Sequence, residues 1–212
     1  MSHVISAQEP FFVLTAGMSF SEYCESLPSE QRHALQRLWL GARLDPATQL
    51  YLSTYSVWVN CFVVVEDQTP DTAMVAPILA RVADCCPRME LRFFSADGEL
   101  AALNEVVDDD LDLEEDLDDL DLPLLLFFDE EWNQVGQWGP RPAAAEDRLD
   151  AWLASHPNYV ALMDSDDDED SPELDALVEE LTHQMRLWYN DDLTDACVAE
   201  ICEVLKALES DE

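Results

Sequence analysis

Six cysteines, at positions 24, 61, 85, 86, 197 and 202, are the side chains of this chain best equipped for chemistry. A thiolate can attack sulfur or carbon, or hold a soft metal. Their spacing offers little of that. No two form a C-x-x-C pair and no zinc-like ligand spacing occurs, so most are expected to be reduced, with Cys61 a plain core residue. Cys85 and Cys86 are adjacent, and a disulfide between neighbours needs a strained backbone. A helix end with one buried thiol is expected there, with displaced thiol chemistry at Cys85, Cys86 or Cys61 as the alternative. Cys197 and Cys202, five apart, fall on different faces of a helix. His3, His33, His156 and His183 are scattered, with no serine or cysteine partner nearby in sequence. The acidic runs lack the ligand-Gly-ligand spacing of an EF-hand, so diffuse counterions are expected rather than a metal site, and no cofactor is implied. Trp138 and Arg141, in "WGPRP", are expected to form a stacked structural pair.

Charge narrows the function classes. Forty-seven acids oppose ten bases, of which only Lys206 is a lysine, for a formal charge of -37. Nucleic acid and anionic membrane surfaces are disfavoured partners, because their phosphates need cationic groups that this surface lacks. The excess fits either a surface adapted to high salt or a docking face for a basic protein. No apolar run approaches the ~20 residues of a membrane span, and no basic segment followed by an apolar one opens the chain. A cytoplasmic protein is expected. At 212 residues and 48% hydrophobic, one main domain is expected.

The elements that must position these residues follow from local patterns. "SFSEYCESL" carries a helix cap signal at Ser19 or Ser21, and "SEQRHALQRLWLGARL" predicts a helix capped by Ser29, with Leu35, Leu38 and Trp39 on one side. "VWVNCFVVVE" from Val57 is too apolar for a half-exposed strand and suits a central one. A helix from about Pro70 to Cys85 follows, with Pro77 in its interior, where proline removes a hydrogen bond and costs about 3 kcal/mol. Thr69 is its expected cap, Pro70 its first residue, and Asp71 lies in its first turn. "RMELRFFSA" gives a second strand and "GELAALNEVV" a short helix, completing a right-handed crossover unit. In Asp108 to Asp121 ten of fourteen positions are acidic, which predicts a solvated loop despite the interleaved leucines. "LPLLLFFDEEWNQVGQWG" then predicts an antiparallel hairpin turning at Glu130 to Asn133, and "PAAAEDRLDAWLAS" a helix. A second acidic tract from Asp164 reads as a linker to two amphipathic helices.

The order βαβα, hairpin, α resembles the thioredoxin fold. "MVAPILARVAD" looks like the active-site helix of thioredoxins, with Pro77 on the family's kink proline, and "DLPLLLFFDEEWNQVGQW" resembles its cis-proline strand, with that proline at Pro123. "FSEYCESL", "WGPRP" and the helical tail look like a bacterial branch of the family. The resemblance implies an α/β protein with a three-layer α/β/α core over 57–155. It leaves a helical extension over 1–56, the acidic insertion 108–121, and a linker with C-terminal helices over 156–212. The redox motif W-C-x-x-C falls on Gln68, Thr69, Pro70, Asp71 and Thr72, so both cysteine positions hold threonine. A hydroxyl cannot attack a disulfide or resolve a mixed one. The expectation is a redox-inactive scaffold that binds a protein, possibly a basic one, through a groove lined by Gln68 to Thr72 and Leu122-Pro123. Rivals are an oxidoreductase with displaced cysteines and an acidic decoy that captures basic proteins. The oligomeric state stays open.

Overall fold

Four helices open the chain: α1 (Glu9–Ala16), α2 (Phe20–Ser26), α3 (Ser29–Gly41) and α4 (Pro46–Thr54). Ser19 caps α2 in a capping box, its Oγ accepting from the Glu22 amide while the Glu22 carboxylate accepts from the Ser19 amide. Ser29 is not a cap; it is the first residue of α3, and Pro28 stands at the cap position without a side-chain bond.

β1 (Val59–Val65) determines the architecture, because all seven of its residues are buried. Cys61, Val63 and Val65 point into one hydrophobic cluster, Phe62 and Val64 into another. A strand apolar on both faces is stable only in mid-sheet with both faces covered. The computed structural model, which describes residues 9–67, 69–98, 100–108, 111–113, 117–163 and 171–210, has this arrangement. β2 (Met89–Ser95), β3 (Leu124–Phe128) and β4 (Gln134–Trp138) join β1 in the order β2-β1-β3-β4. β1 and β2 are parallel, so the chain crosses between them through α5 (Pro70–Cys85); the remaining pairs are antiparallel, and β3-β4 is the expected hairpin.

After the short α6 (Ala101–Asn104) and the hairpin come α7 (Glu146–Ser155), α8 (Asn158–Met163), α9 (Pro172–Trp188) and α10 (Thr194–Ser210). α3, α9 and α10 pack on α5 over one face of the sheet, so both helical extensions share its larger core. α9 and α10, expected as separate helices, are joined by a π-helical turn, Tyr189–Leu193, in which Thr194 Oγ1 donates to the Tyr189 carbonyl. Cys197 and Cys202 were expected on different faces, yet both are buried in that core, since α10 buries a stripe broad enough to include them. Among the described residues no helix is long and apolar enough to cross a membrane.

The other face corrects the reading of the acidic insertion. Leu113 is fully buried, and Leu111, Leu117 and Leu120 pack partly against the cluster that holds Phe62, Phe94 and Phe128. Asn104 fastens the segment, its Oδ1 accepting from the Leu113 amide at 2.8 Å and its Nδ2 donating to Asp112 at 3.0 Å. Water weakens the repulsion between like charges, so the leucines can turn inward while Asp119 and Asp121 stay exposed.

Candidate functional site

The chain leaves β1 at Val65 and enters α5 at Pro70, five residues later. Thr69 adopts extended dihedrals, φ -75° and ψ 148°, and its Oγ1 accepts from the Thr72 amide at 3.3 Å while donating to the Glu66 carbonyl at 3.3 Å. Pro70, which has no amide hydrogen to leave unpaired, takes the first helical position. Such a cap is worth about 1 kcal/mol. Thr72 is 2% exposed, and its hydroxyl has no partner among the described residues. Before the turn, Tyr23 Oη donates to Asp67 Oδ1 at 3.0 Å, tying the exit from β1 to α2.

Asp71 is held by Arg141. The guanidinium donates from Nε to Oδ1 at 2.9 Å and from Nη2 to Oδ2 at 2.6 Å, and Nη1 reaches Glu146 at 3.2 Å. The side chains of Asp71 and Arg141 are only 13% and 17% exposed. Burial opposes the charge on Arg141, but its bonds to Asp71 and then Glu146 outweigh it and hold the guanidinium more firmly protonated than usual. The sequence reading, which stacked Trp138 on Arg141, is corrected: Trp138 Nε1 donates to Glu200 Oε2 at 2.8 Å instead. A buried cation needs a counter-charge more than an aromatic face, and Asp71 supplies it.

Leu122-Pro123 lies at the same end of the sheet. Leu124 pairs with Val64, which sets Pro123 beside the exit of β1, and the Leu122-Pro123 bond is cis, as the resemblance implied. The Gly139-Pro140 bond is cis as well, and Gly139 has φ +135°. A Cβ on Gly139 would fall 2.1 Å from the Pro123 carbonyl oxygen, so this loop lies directly on the proline. Two residues later it carries Arg141 to the first turn of α5. The helix start and the cis-proline are thereby joined through a third segment.

Of the residues singled out in sequence, Gln68 lies outside the described residues. Pro70, Thr72 and Pro123 are buried, whereas Thr69, Asp71 and Leu122 keep some accessible surface. The loop 139–142 and Arg141 were missed as parts of this site; the available signal was an arginine between two prolines in a chain poor in cations. Cys61, Cys85 and Cys86, the cysteines considered for displaced chemistry, stand elsewhere. Cys61 is fully buried in mid-β1 and Cys86 is buried at the far end of α5, and burial pushes both thiols up from their ordinary range. Cys85 is half-buried at that same end, about 24 Å along a 16-residue helix from Thr69. All six thiols are free. Among the described residues no three His, Cys, Asp or Glu side chains converge as a metal site would require.

A family model described as thioredoxin matches residues 17–153. No curated protein matches the chain. Among solved structures, a protein of unknown function from Pseudomonas aeruginosa superposes with a TM-score of 0.59 at 19% identity, covering 94% of this chain and 96% of its own. An HIV epitope-scaffold does so with a TM-score of 0.59 at 16% identity, covering 93% and 97%. At these identities the likeness is one of fold.

Proposed function

From the premise that the chain belongs to the thioredoxin family, with a match that spans well over half of it, we propose that it is a redox-inactive member that binds protein. The binding surface is the end of the sheet where the first turn of α5 meets Leu122-Pro123. The observation that carries the reading is the state of that turn: Thr69 spends its hydroxyl on the helix cap, and Asp71 is committed to Arg141. Neither is free to act as a nucleophile, and Cys85 and Cys86 stand at the far end of α5. Displaced thiol chemistry is disfavoured by the burial of Cys61 and Cys86 and by their raised thiols, which hold little reactive thiolate at neutral pH. Leu122, half-buried beside the cis-proline, carries the family's role of offering backbone hydrogen bonds to an extended peptide.

Reduction of insulin disulfides with dithiothreitol as the electron source tests the catalytic half. The parent protein is expected to match the uncatalysed rate, and the double variant Thr69→Cys, Thr72→Cys to form an internal disulfide and show weak activity. Activity in the parent after its accessible thiols are blocked would overturn the reading. Titration of extended peptides against the 15N-labelled protein tests the binding half, with amide shifts expected at Thr69, Thr72 and Leu122.

A further inference from the structure

Pro77 and the π-helical turn, two irregularities of the helical layer, line the same cleft. It encloses about 350 Å³ between the end of α3, the middle of α5 and the start of the turn. Met74, Pro77 and Ile78 form an apolar wall. Arg37, Arg43 and Arg186 line it as well, so three of the ten basic residues of the whole chain meet in one cleft. The chain as a whole carries nearly five acids per base; here three arginines meet two acids, Asp191 and Asp195. None of the three arginines forms an ion pair among the described residues, although four other arginines of the chain do.

Arg37 Nε donates to the His33 carbonyl at 3.2 Å; the other guanidinium donors of the three have no acceptor among the described residues, and a planar fork matches the oxygens of a carboxylate or phosphate. Asn190 and Thr194, also in the lining, can add hydrogen bonds. The cleft has the volume of a small-molecule site and the usual makeup of one: an apolar wall with a few polar groups. π turns recur at functional sites because their extra residue re-aims side chains. We infer that this cleft binds a small organic oxyanion, a carboxylate or phosphate on an apolar body, with the oxyanion on Arg37, Arg43 and Arg186 and the body against Met74, Pro77 and Ile78. The site is separate from the peptide surface at the start of α5. It gives Pro77, inside α5, a place in this wall.

Calorimetry at 0.15 M NaCl, where screening over ~8 Å suppresses the distant acids, tests the inference with four probes: phenyl phosphate, benzoate, inorganic phosphate and benzyl alcohol. Saturable binding with a Kd below about 1 mM is expected for phenyl phosphate or benzoate, and the tighter of the two identifies the oxyanion. Arg37→Gln, Arg43→Gln and Arg186→Gln are each expected to weaken binding about tenfold. Arg88→Gln, at an exposed arginine outside the cleft, is expected to leave it unchanged. A second readout is the Met74 methyl resonance, which should shift with phenyl phosphate in the parent and not in the triple variant. No saturable binding, affinity unmoved by the triple variant, or benzyl alcohol or inorganic phosphate binding as tightly as phenyl phosphate would each overturn the inference.

Discussion

Arg141 grips Asp71 with one edge of its guanidinium, Nε at 2.9 Å and Nη2 at 2.6 Å, across 70 residues of sequence. The pair joins the loop after β4 to the first turn of α5, where the sequence resemblance puts the redox motif. A tether of that kind makes the turn a structural joint.

Breaking that joint from one side strands a largely buried charge. Arg141→Ala is expected to cost about 2–4 kcal/mol, somewhat below the range for fully buried pairs because both side chains keep some exposure. Arg141→Lys should recover only part, because an ammonium cannot fork. Urea melts of Arg141→Ala, Asp71→Asn and the double variant give the coupling directly, and a value under about 0.5 kcal/mol would reduce the pair to an ordinary surface contact.

Gly139 is irreplaceable for two independent reasons. Its φ of +135° is one that side chains rarely adopt, and a Cβ there would meet the Pro123 carbonyl at 2.1 Å. Gly139→Ala is expected to cost more than about 2 kcal/mol. Gly41→Ala is the control: nothing lies within 4 Å of a Cβ there, so neutrality or a gain of up to about 1 kcal/mol is expected for a residue in α3. Thermal melts of equal midpoint for the two variants would contradict the close approach of loop and proline.

Leu113 tests whether the acidic insertion is anchored. Fully buried against the second face of the sheet, it should cost about 2–4 kcal/mol as Leu113→Ala, where a leucine of a solvated loop would cost almost nothing. The charges around it act separately. Adding NaCl should raise the melting midpoint by screening repulsion among 47 acids, in the parent and in the variant alike. KCl in parallel excludes an effect peculiar to one cation.

Alkaline pH should weaken the fold through its thiols. Burial pushes Cys24 and Cys202 up to about 11 in the folded protein, against about 8.5 in an unfolded chain. The folded state therefore binds the thiol protons more tightly. This contribution is fully present below about pH 8.5 and is lost as pH rises toward 11. Urea melts at pH 7, 9, 10 and 11 should fall in that order. At pH 7 a maleimide should modify the half-buried Cys85 fastest and the other thiols only on unfolding; rapid labelling of Cys61 or Cys86 would revive displaced thiol chemistry.

Much of the fold was legible because its signals are local. The apolar run of β1 demands a place in mid-sheet, Thr69-Pro70-Asp71 is a complete helix start, and the hairpin is a single contiguous stretch. The cap at Ser29 failed because the helix begins one residue earlier than the signal suggests, with Pro28 at the cap position. The acidic insertion was misread because composition weighs its charges and leucines together, whereas the sheet sorts them: the leucines find a surface to cover and the acids keep water.

By itself the sequence determined the order of elements, the turn into α5, and the absence of a cysteine pair at C-x-x-C spacing, all consequences of neighbouring residue types. Tertiary structure alone decided what those residues face. Asp71 meets Arg141, Gly139 lies on Pro123, and three arginines from α3, α9 and the loop after α3 surround one cleft beside Pro77. The physical reason is that side-chain partners far apart along the chain are chosen by burial and charge compensation after the elements pack. No local preference records that choice.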